Sequence, residues 1–185
     1  MDALNLFEIQ FLDWIRENLA NGFLDAVMPI ITAFADSGLG WIAIAVILLF
    51  FKRTRPVGIT MGIALLTGLL IGNLTLKPLV ARTRPYDIQT GIALLIEKPH
   101  DFSFPSGHTL ASFEAAAAIF LYHKKWGIVA LCLAVLIAFS RMYLYVHYPT
   151  DVLAGAVLGV IIALAASKLY KWAETFGKEK LATKD

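Results

Sequence analysis

Charge is scarce in this chain. Asp, Glu, Lys and Arg make up 16% of its 185 residues, where about 25% is usual for a soluble domain. Hydrophobic residues fill 58% of it, so the chain reads as a membrane protein and not as a soluble enzyme. Cysteine is nearly missing. Cys132 stands alone in an apolar run, which excludes a disulfide framework and a cysteine metal centre. A strong excess of one charge sign is also lacking, and a net charge of +2 gives no reason to expect a nucleic-acid partner. The amino terminus has no basic region leading into an apolar core and a small-residue cleavage site. No removable signal peptide is therefore expected. No internal repeat is evident.

What the chain does have is a series of apolar runs. Residues 4–19 form an amphipathic pattern, with Leu4, Phe7, Phe11, Trp14 and Ile15 at helical spacing. That pattern suits a helix lying at the membrane surface. Residues 21–36 and 39–51 are short apolar segments separated by Ser37-Gly38. They are below the roughly 20 residues that a straight span needs, so each must reach into the interfaces or the two must tilt as a pair. Further runs cover 57–80, 107–122, 126–146 and 150–170. Gly58, Gly62, Gly68 and Gly72 within the third run suit close helix packing. The expected fold is all-α: one domain over 1–185, with an interfacial helix at 1–20, a six-helix transmembrane bundle at 21–172 and a charged tail at 173–185. With six spans both termini share one side. That side is richer in Lys and Arg and is expected to be cytoplasmic.

Three polar clusters lie at the outer ends of these runs, where charge is costly and usually marks function. The first is Lys77 and Arg84, followed by Pro85. Seven residues apart, both cations would share one face of a continuous helix and suit an oxyanion. Lys77 alone also fits snorkelling to headgroups, and snorkelling is the better account of Arg82. The second is Phe104-Pro105-Ser106-Gly107-His108-Thr109, a helix start that would aim free N–H groups at an anion and set His108 beside it. The third is Ser140-Arg141, then His147, then Asp151 in the first turn of the last helix. A carboxylate four residues from a histidine can hold one ring nitrogen and leave the other as a lone pair. Three cations, a helix amino terminus and two histidines describe a phosphate site. A neutral His147 can attack phosphorus, and a protonated His108 can donate to the leaving oxygen. No carboxylate cluster competes for a metal, so metal-independent chemistry is expected.

At these residues the chain resembles the type 2 phosphatidic acid phosphatase superfamily. The signature is Lys, six residues, Arg-Pro; then Pro-Ser-Gly-His; then Ser-Arg, five residues, His, three residues, Asp. Lys77 to Pro85, Pro105 to His108, and Ser140 to Asp151 match it in order and spacing. The resemblance implies that His147 becomes a phosphohistidine, Asp151 orients it and His108 is the general acid. It also implies that Lys77, Arg84, Ser106, Gly107 and Arg141 bind the phosphoryl group and that no cofactor is needed. Tyr145 departs from the small residue that many relatives carry and would narrow the pocket. Glu114, in the fourth run, would be a buried hydrogen-bond partner or a substrate contact. The implied partners are membrane lipids and a lipid phosphate or diphosphate, on the outer face of a bacterial cytoplasmic membrane. Undecaprenyl diphosphate leads, phosphatidylglycerophosphate or phosphatidate follows, and lipid A is less favoured. The constellation is also similar to that of vanadium haloperoxidases, which are soluble, and the apolar spans argue against that reading. The motifs read phosphate and leave the lipid tail and the oligomeric state open.

Overall fold

A computed structural model describes residues 3–182. The described residues form helices joined by turns and loops, with no strand among them. Helix α1 (Ala3–Leu19) leads into α2 (Gly22–Ala33), a 3-10 turn at Asp36–Gly38 and α3 (Leu39–Phe50). Helix α4 (Arg55–Gly68) continues through a π-helical segment (Leu69–Leu76) into α5 (Lys77–Val80). A short turn, α6 (Pro85–Ile88), precedes a loop, and α7 (Gly107–Tyr122), α8 (Lys124–Tyr143) and α9 (Pro149–Ala182) complete the chain. The expected tail is thus largely helical, and residues 183–185 lie outside the described residues.

Helix α7 sits at the centre and packs against α3, α4, α8 and α9. Its Ala115–Ala118 run is buried, with Trp41, Met61, Ala134 and Ile137 around it. Gly155 and Gly159 of α9, one helical turn apart, let that helix press on α7. A Cβ at either would come within 2.8 Å and 2.7 Å of the carbonyls of Ser106 and Leu110. By length and composition Arg55–Ile88, Lys124–Tyr143 and Pro149–Gly177 can each cross a membrane. The α2–α3 pair, bent by 40°, makes a fourth if counted as one.

The expected six spans are not all recovered by that measure, and the contacts show where α2 and α3 pack. Asp25, in the first turn of α2, accepts a hydrogen bond from the Tyr143 hydroxyl (2.6 Å). Thr32, near its last turn, accepts one from Arg141 Nη1 (2.6 Å). Tyr143 and Arg141 are neighbours at one end of α8, so α2 packs at that end. Helix α3 runs from the Asp36–His108 contact to the Thr54 turn, and Trp41 Nε1 donates to Ser112 on the way (2.9 Å). Helix α1 joins α2 at the same end. Its Ile9, Leu12 and Ile15 pack on Tyr143–Val146 and Tyr148, and Arg16 donates to the Ala93 carbonyl (3.2 Å). Leu4, Phe7, Phe11 and Trp14 face outward. Four of the five residues of the expected apolar stripe are therefore exposed, while Ile15 is buried in a second stripe that holds α1 to the protein. Helix α1 thus lies beside the polar clusters and not at the opposite end, and residues 1 and 2 of the expected 1–20 helix lie outside the described residues.

Tyr145 explains part of that attachment. It is fully buried in a left-handed conformation (φ 63°) that favours glycine. Its hydroxyl donates to Asp13 of α1 (2.7 Å), which helps to offset the backbone strain. Tyr145→Phe is expected to lower stability by about 1 kcal/mol, read as a drop in the thermal midpoint in detergent, with turnover unchanged. Lost turnover at an unchanged midpoint would contradict this structural role.

Candidate active site

Asp151 lies in the first turn of α9, where the chain has just left the tight turn 144–148. Its Oδ2 accepts from the Tyr148 N–H (3.0 Å) and from the Ser103 hydroxyl. Its Oδ1 accepts from Arg82 Nη1 (2.6 Å). His147 Nδ1 stands 3.5 Å from Asp151 Oδ2 and 3.5 Å from Ser103 Oγ. The expected pair is therefore adjacent, with Ser103 sharing the contact. At the other ring nitrogen, Arg84 Nη1 lies 3.3 Å from Nε2. A guanidinium can only donate, so Nε2 carries the lone pair and Nδ1 the proton. Burial, then the charges of Arg84, Arg141 and Lys77, push this imidazole well below the usual histidine range. His147 is thus held neutral with its lone pair on the cation side. The Val146 and His147 N–H groups both donate to the Arg141 carbonyl (3.1 and 3.3 Å), which fixes the turn that presents the ring.

A cavity of about 590 Å³ opens in front of Nε2, lined by Lys77, Arg84, His108, Arg141 and His147 together with Asp36 and Asp101. Lys77 and Arg84 do not meet on a continuous helix, as their spacing suggested. The helix stops at Val80, and Ala81 is left-handed (φ 48°). Both cations converge instead on Asp101, which Lys77 and Arg84 Nη2 contact through its two carboxylate oxygens. Burial alone would raise the Asp101 carboxyl. The hydrogen bonds and charges of Lys77 and Arg84 outweigh it and hold the group at about 2. A carboxylate so held marks where these cations can grip an oxyanion. Arg141 is buried and its Nε has no hydrogen-bond partner, so it retains a donor for an anion.

Helix α7 begins at Gly107 with Ser106 extended before it. The Ser106 N–H donates to the Asp151 carbonyl (3.1 Å) and its hydroxyl accepts from Thr109 Oγ1 (3.0 Å). This ties the Pro105–His108 stretch to the first turn of α9. His108 Nε2 contacts Asp36 Oδ1 (2.7 Å) and faces the cavity. Two predicted residues are not brought here. Tyr145 lines neither the cavity nor its mouth and serves α1. Glu114 lies deeper along α7, and its Oε1 lacks the hydrogen-bond partner expected of a structural carboxyl.

Several residues at this end escaped sequence reasoning. Arg82, expected to snorkel, is half-buried in polar contacts. It donates to Asp151, to Thr150 Oγ1 (2.7 Å), to Asn5 Oδ1 (2.6 Å) and to Glu8 (2.5 Å), and stacks on the Tyr148 ring at 3.9 Å. Glu8 Oε1 also accepts from the Thr150 N–H and hydroxyl (both 2.7 Å), capping α9 from α1. A signal for Glu8 was present. It shares the Leu12–Ile15 stripe, so it had to face the protein. Asp36, Asp101 and Ser103 sit in turns and loops, where no periodicity points to them.

Arg82 is a positioning residue in this arrangement, acting through Asp151. Arg82→Gln is expected to lower kcat on the order of 10²-fold with little change in KM, and Arg82→Lys to recover part of the loss. A rise in KM at constant kcat would instead place Arg82 among the substrate contacts.

Comparison with known proteins gives a consistent answer. The chain is 38% identical over 130 residues to an undecaprenyl-diphosphatase of Sulfolobus acidocaldarius, covering 70% of this chain and 63% of that protein. It is 32% identical over 142 residues to undecaprenyl-diphosphatase BcrC of Bacillus subtilis, covering 77% and 72%. A crystal structure of a transmembrane PAP2-type phosphatidylglycerolphosphate phosphatase from Bacillus subtilis superposes with a TM-score of 0.74 at 27% identity, over 92% of this chain and 88% of that one. The profile of the PAP2 superfamily matches residues 57–174, which include all three polar clusters, and the chain therefore belongs to the PAP2 superfamily.

Proposed function

We propose that this chain is an integral membrane phosphatase that transfers the phosphoryl group of a lipid to His147 and then to water. The observation that carries the reading is the Nε2 lone pair of a neutral His147, aimed into a cavity with three cations and with His108 on its wall. Lys77, Arg84 and Arg141 grip the phosphoryl oxygens, replacing Asp101 as their anion, and the α7 amino terminus with Ser106 and Gly107 adds N–H groups. Nε2 attacks phosphorus, the bond from phosphorus to the leaving oxygen breaks, and protonated His108 gives that oxygen its proton. Neutral His108 then takes a proton from water as the water oxygen attacks the phosphohistidine. The N–P bond breaks, phosphate leaves, and His108 is protonated again. Asp151 accepts the Nδ1 proton's charge throughout, and the cations carry the electrostatic role that a metal would otherwise fill.

The preferred substrate in this reading is undecaprenyl diphosphate, supported by the two relatives that match most of the chain. A glycerolipid phosphate is the second reading, supported by the structural neighbour. The bundle, with α1 and α2, works as one domain in the cytoplasmic membrane. Lys77, Arg82, Arg84 and Arg141 are engaged at the site, whereas Lys52, Arg53, Arg55, Lys124, Lys125, Lys168 and Lys171 crowd the opposite end. That opposite end, with the carboxy terminus, is assigned to the cytoplasm. The site faces outward, and the amino-terminal helix lies on the same outer face, not with the carboxy terminus.

The test is phosphate release by the detergent-purified protein in EDTA, side by side on undecaprenyl diphosphate, phosphatidylglycerophosphate and phosphatidate. Release is expected from all three, fastest from the diphosphate, and absent in His147→Ala. Undiminished release by His147→Ala, or release abolished by EDTA, would contradict the proposal.

A further inference from the structure

A second cavity, of about 510 Å³, starts at the phosphate site and runs into the bundle. Lys77, Asp101 and His108 line its upper end. From there it follows the helix carrying Lys77 back to Gly58, 19 residues, or about 28 Å at 1.5 Å per residue. That is close to the roughly 30 Å of a bilayer's hydrocarbon core. Its outer wall includes Ile42, Val46, Leu66 and Leu69, all exposed, so it opens sideways towards lipid. Gly62 leaves it room, with nothing within 4 Å of where a Cβ would stand. The packing role expected of that glycine is not the one it plays.

Below the phosphate site the walls are apolar except at Glu114 and, nearer the start of α7, at Asn73, whose Oδ1 lies close to where a Gly107 Cβ would stand. Glu114 is 1% exposed, no cation among the described residues pairs with it, and its Oε1 has no hydrogen-bond partner, so burial keeps the carboxyl neutral with an O–H to donate. Asn73 Oδ1, on the same cavity, is also buried and unpartnered. Such groups cost free energy unless something pairs with them. The fold has made space for this carboxyl. It lies directly over Gly68, where a Cβ would come within 2.0 Å of Oε1. Beside it the helix turns π-helical from Leu69 to Leu76, a distortion frequent at functional sites. Glu114 follows His108 by six residues, which puts it about 9 Å further along α7.

We propose that Glu114 and Asn73 form a polar subsite in which Glu114 donates its carboxyl O–H to an ester carbonyl of a glycerolipid substrate, with the Asn73 amide N–H as a second donor nearer the phosphate. A phosphatidate seated at Lys77 and Arg84 brings its glycerol esters to this depth and its chains into the apolar groove beyond. A polyprenyl chain has no such group, so the subsite gives the protein a specific grip on glycerolipids beside any polyprenyl diphosphate it takes. The inference rests on the phosphatase reading only for the seat of the phosphate.

The test is therefore run on binding, in the His147→Ala protein, where bound lipid is not turned over. Dissociation constants are measured in one detergent for dioleoyl phosphatidate and for undecaprenyl phosphate. Adding Glu114→Leu should weaken phosphatidate relative to undecaprenyl phosphate on the order of tenfold. Glu114→Gln, which keeps hydrogen-bonding capacity, should restore most of that ratio, and Asn73→Ala should shift it in the same direction as Leu. The thermal midpoint of Glu114→Leu should hold or rise, because a functional carboxyl in an apolar groove costs stability. An unchanged ratio in both Glu114→Leu and Asn73→Ala would overturn the subsite, as would equal weakening of both lipids with a lowered midpoint. A shifted ratio in a protein whose wild type releases no phosphate would leave the subsite standing and remove the phosphatase reading.

Discussion

The carboxylate of Asp151 is the junction on which the site depends. Through Oδ1 it holds Arg82, and through Arg82 it reaches Glu8 and Asn5 of α1. Through Oδ2 it holds Ser103 and the Tyr148 N–H and stands beside His147. Its own carbonyl receives the Ser106 N–H at the start of α7. One residue thus joins the loop before α7, the turn after α8, the start of α9 and the amino-terminal helix. Removing one partner would leave a buried charge uncompensated, which is the expensive kind of loss.

Charge balance imposes the rest. Four cations lie at one end of an apolar bundle, Lys77, Arg84 and Arg141 buried and Arg82 half-buried. Each needs an anion, a hydrogen-bond acceptor or a ligand. Arg82 is satisfied internally and so belongs to the scaffold. Lys77 and Arg84 share a half-exposed carboxylate, Asp101, that a better oxyanion can displace. Arg141 keeps an unused donor. The division between framework cations and binding cations follows from where their partners lie, inside the protein or at the mouth of the cavity. Helices α1 and α2 complete this end by supplying Glu8, Thr32 and Asp25 as acceptors, and α1 turns Phe7, Phe11 and Trp14 outward. The exposed apolar face of α1 and the buried Asp151 carboxylate are therefore joined through a single helix.

Much of this was legible in the sequence, and the exceptions have physical causes. The apolar runs at 107–122, 126–146 and 150–170 match α7, α8 and α9 closely, because long uninterrupted periodicity leaves little choice of element. The residues of the three clusters were legible because charge is rare in such runs. What failed was the reading of short segments. Residues 21–36 are as apolar as a span, but Asp25 and Thr32 find partners on neighbouring residues of α8, which hold α2 at that end of it. Hydropathy cannot report such a tertiary choice. Lys77 and Arg84 were brought together by an intervening loop carboxylate after the helix broke at Ala81, where only spacing had suggested a helix. Arg82 differs from a snorkelling arginine by its carboxylate partners, Glu8 and Asp151, each some seventy residues away in the chain.

The central claim is that His147 Nε2 becomes the phosphoryl carrier. It is tested most directly by trapping. In His108→Gln, with p-nitrophenyl phosphate as a substrate whose leaving group needs no proton, the account predicts that the second step stalls. The protein should then accumulate one phosphoryl group on the peptide containing His147, stable to alkali and lost in acid. Steady phosphate release without such a species, or the label on another residue, would contradict it.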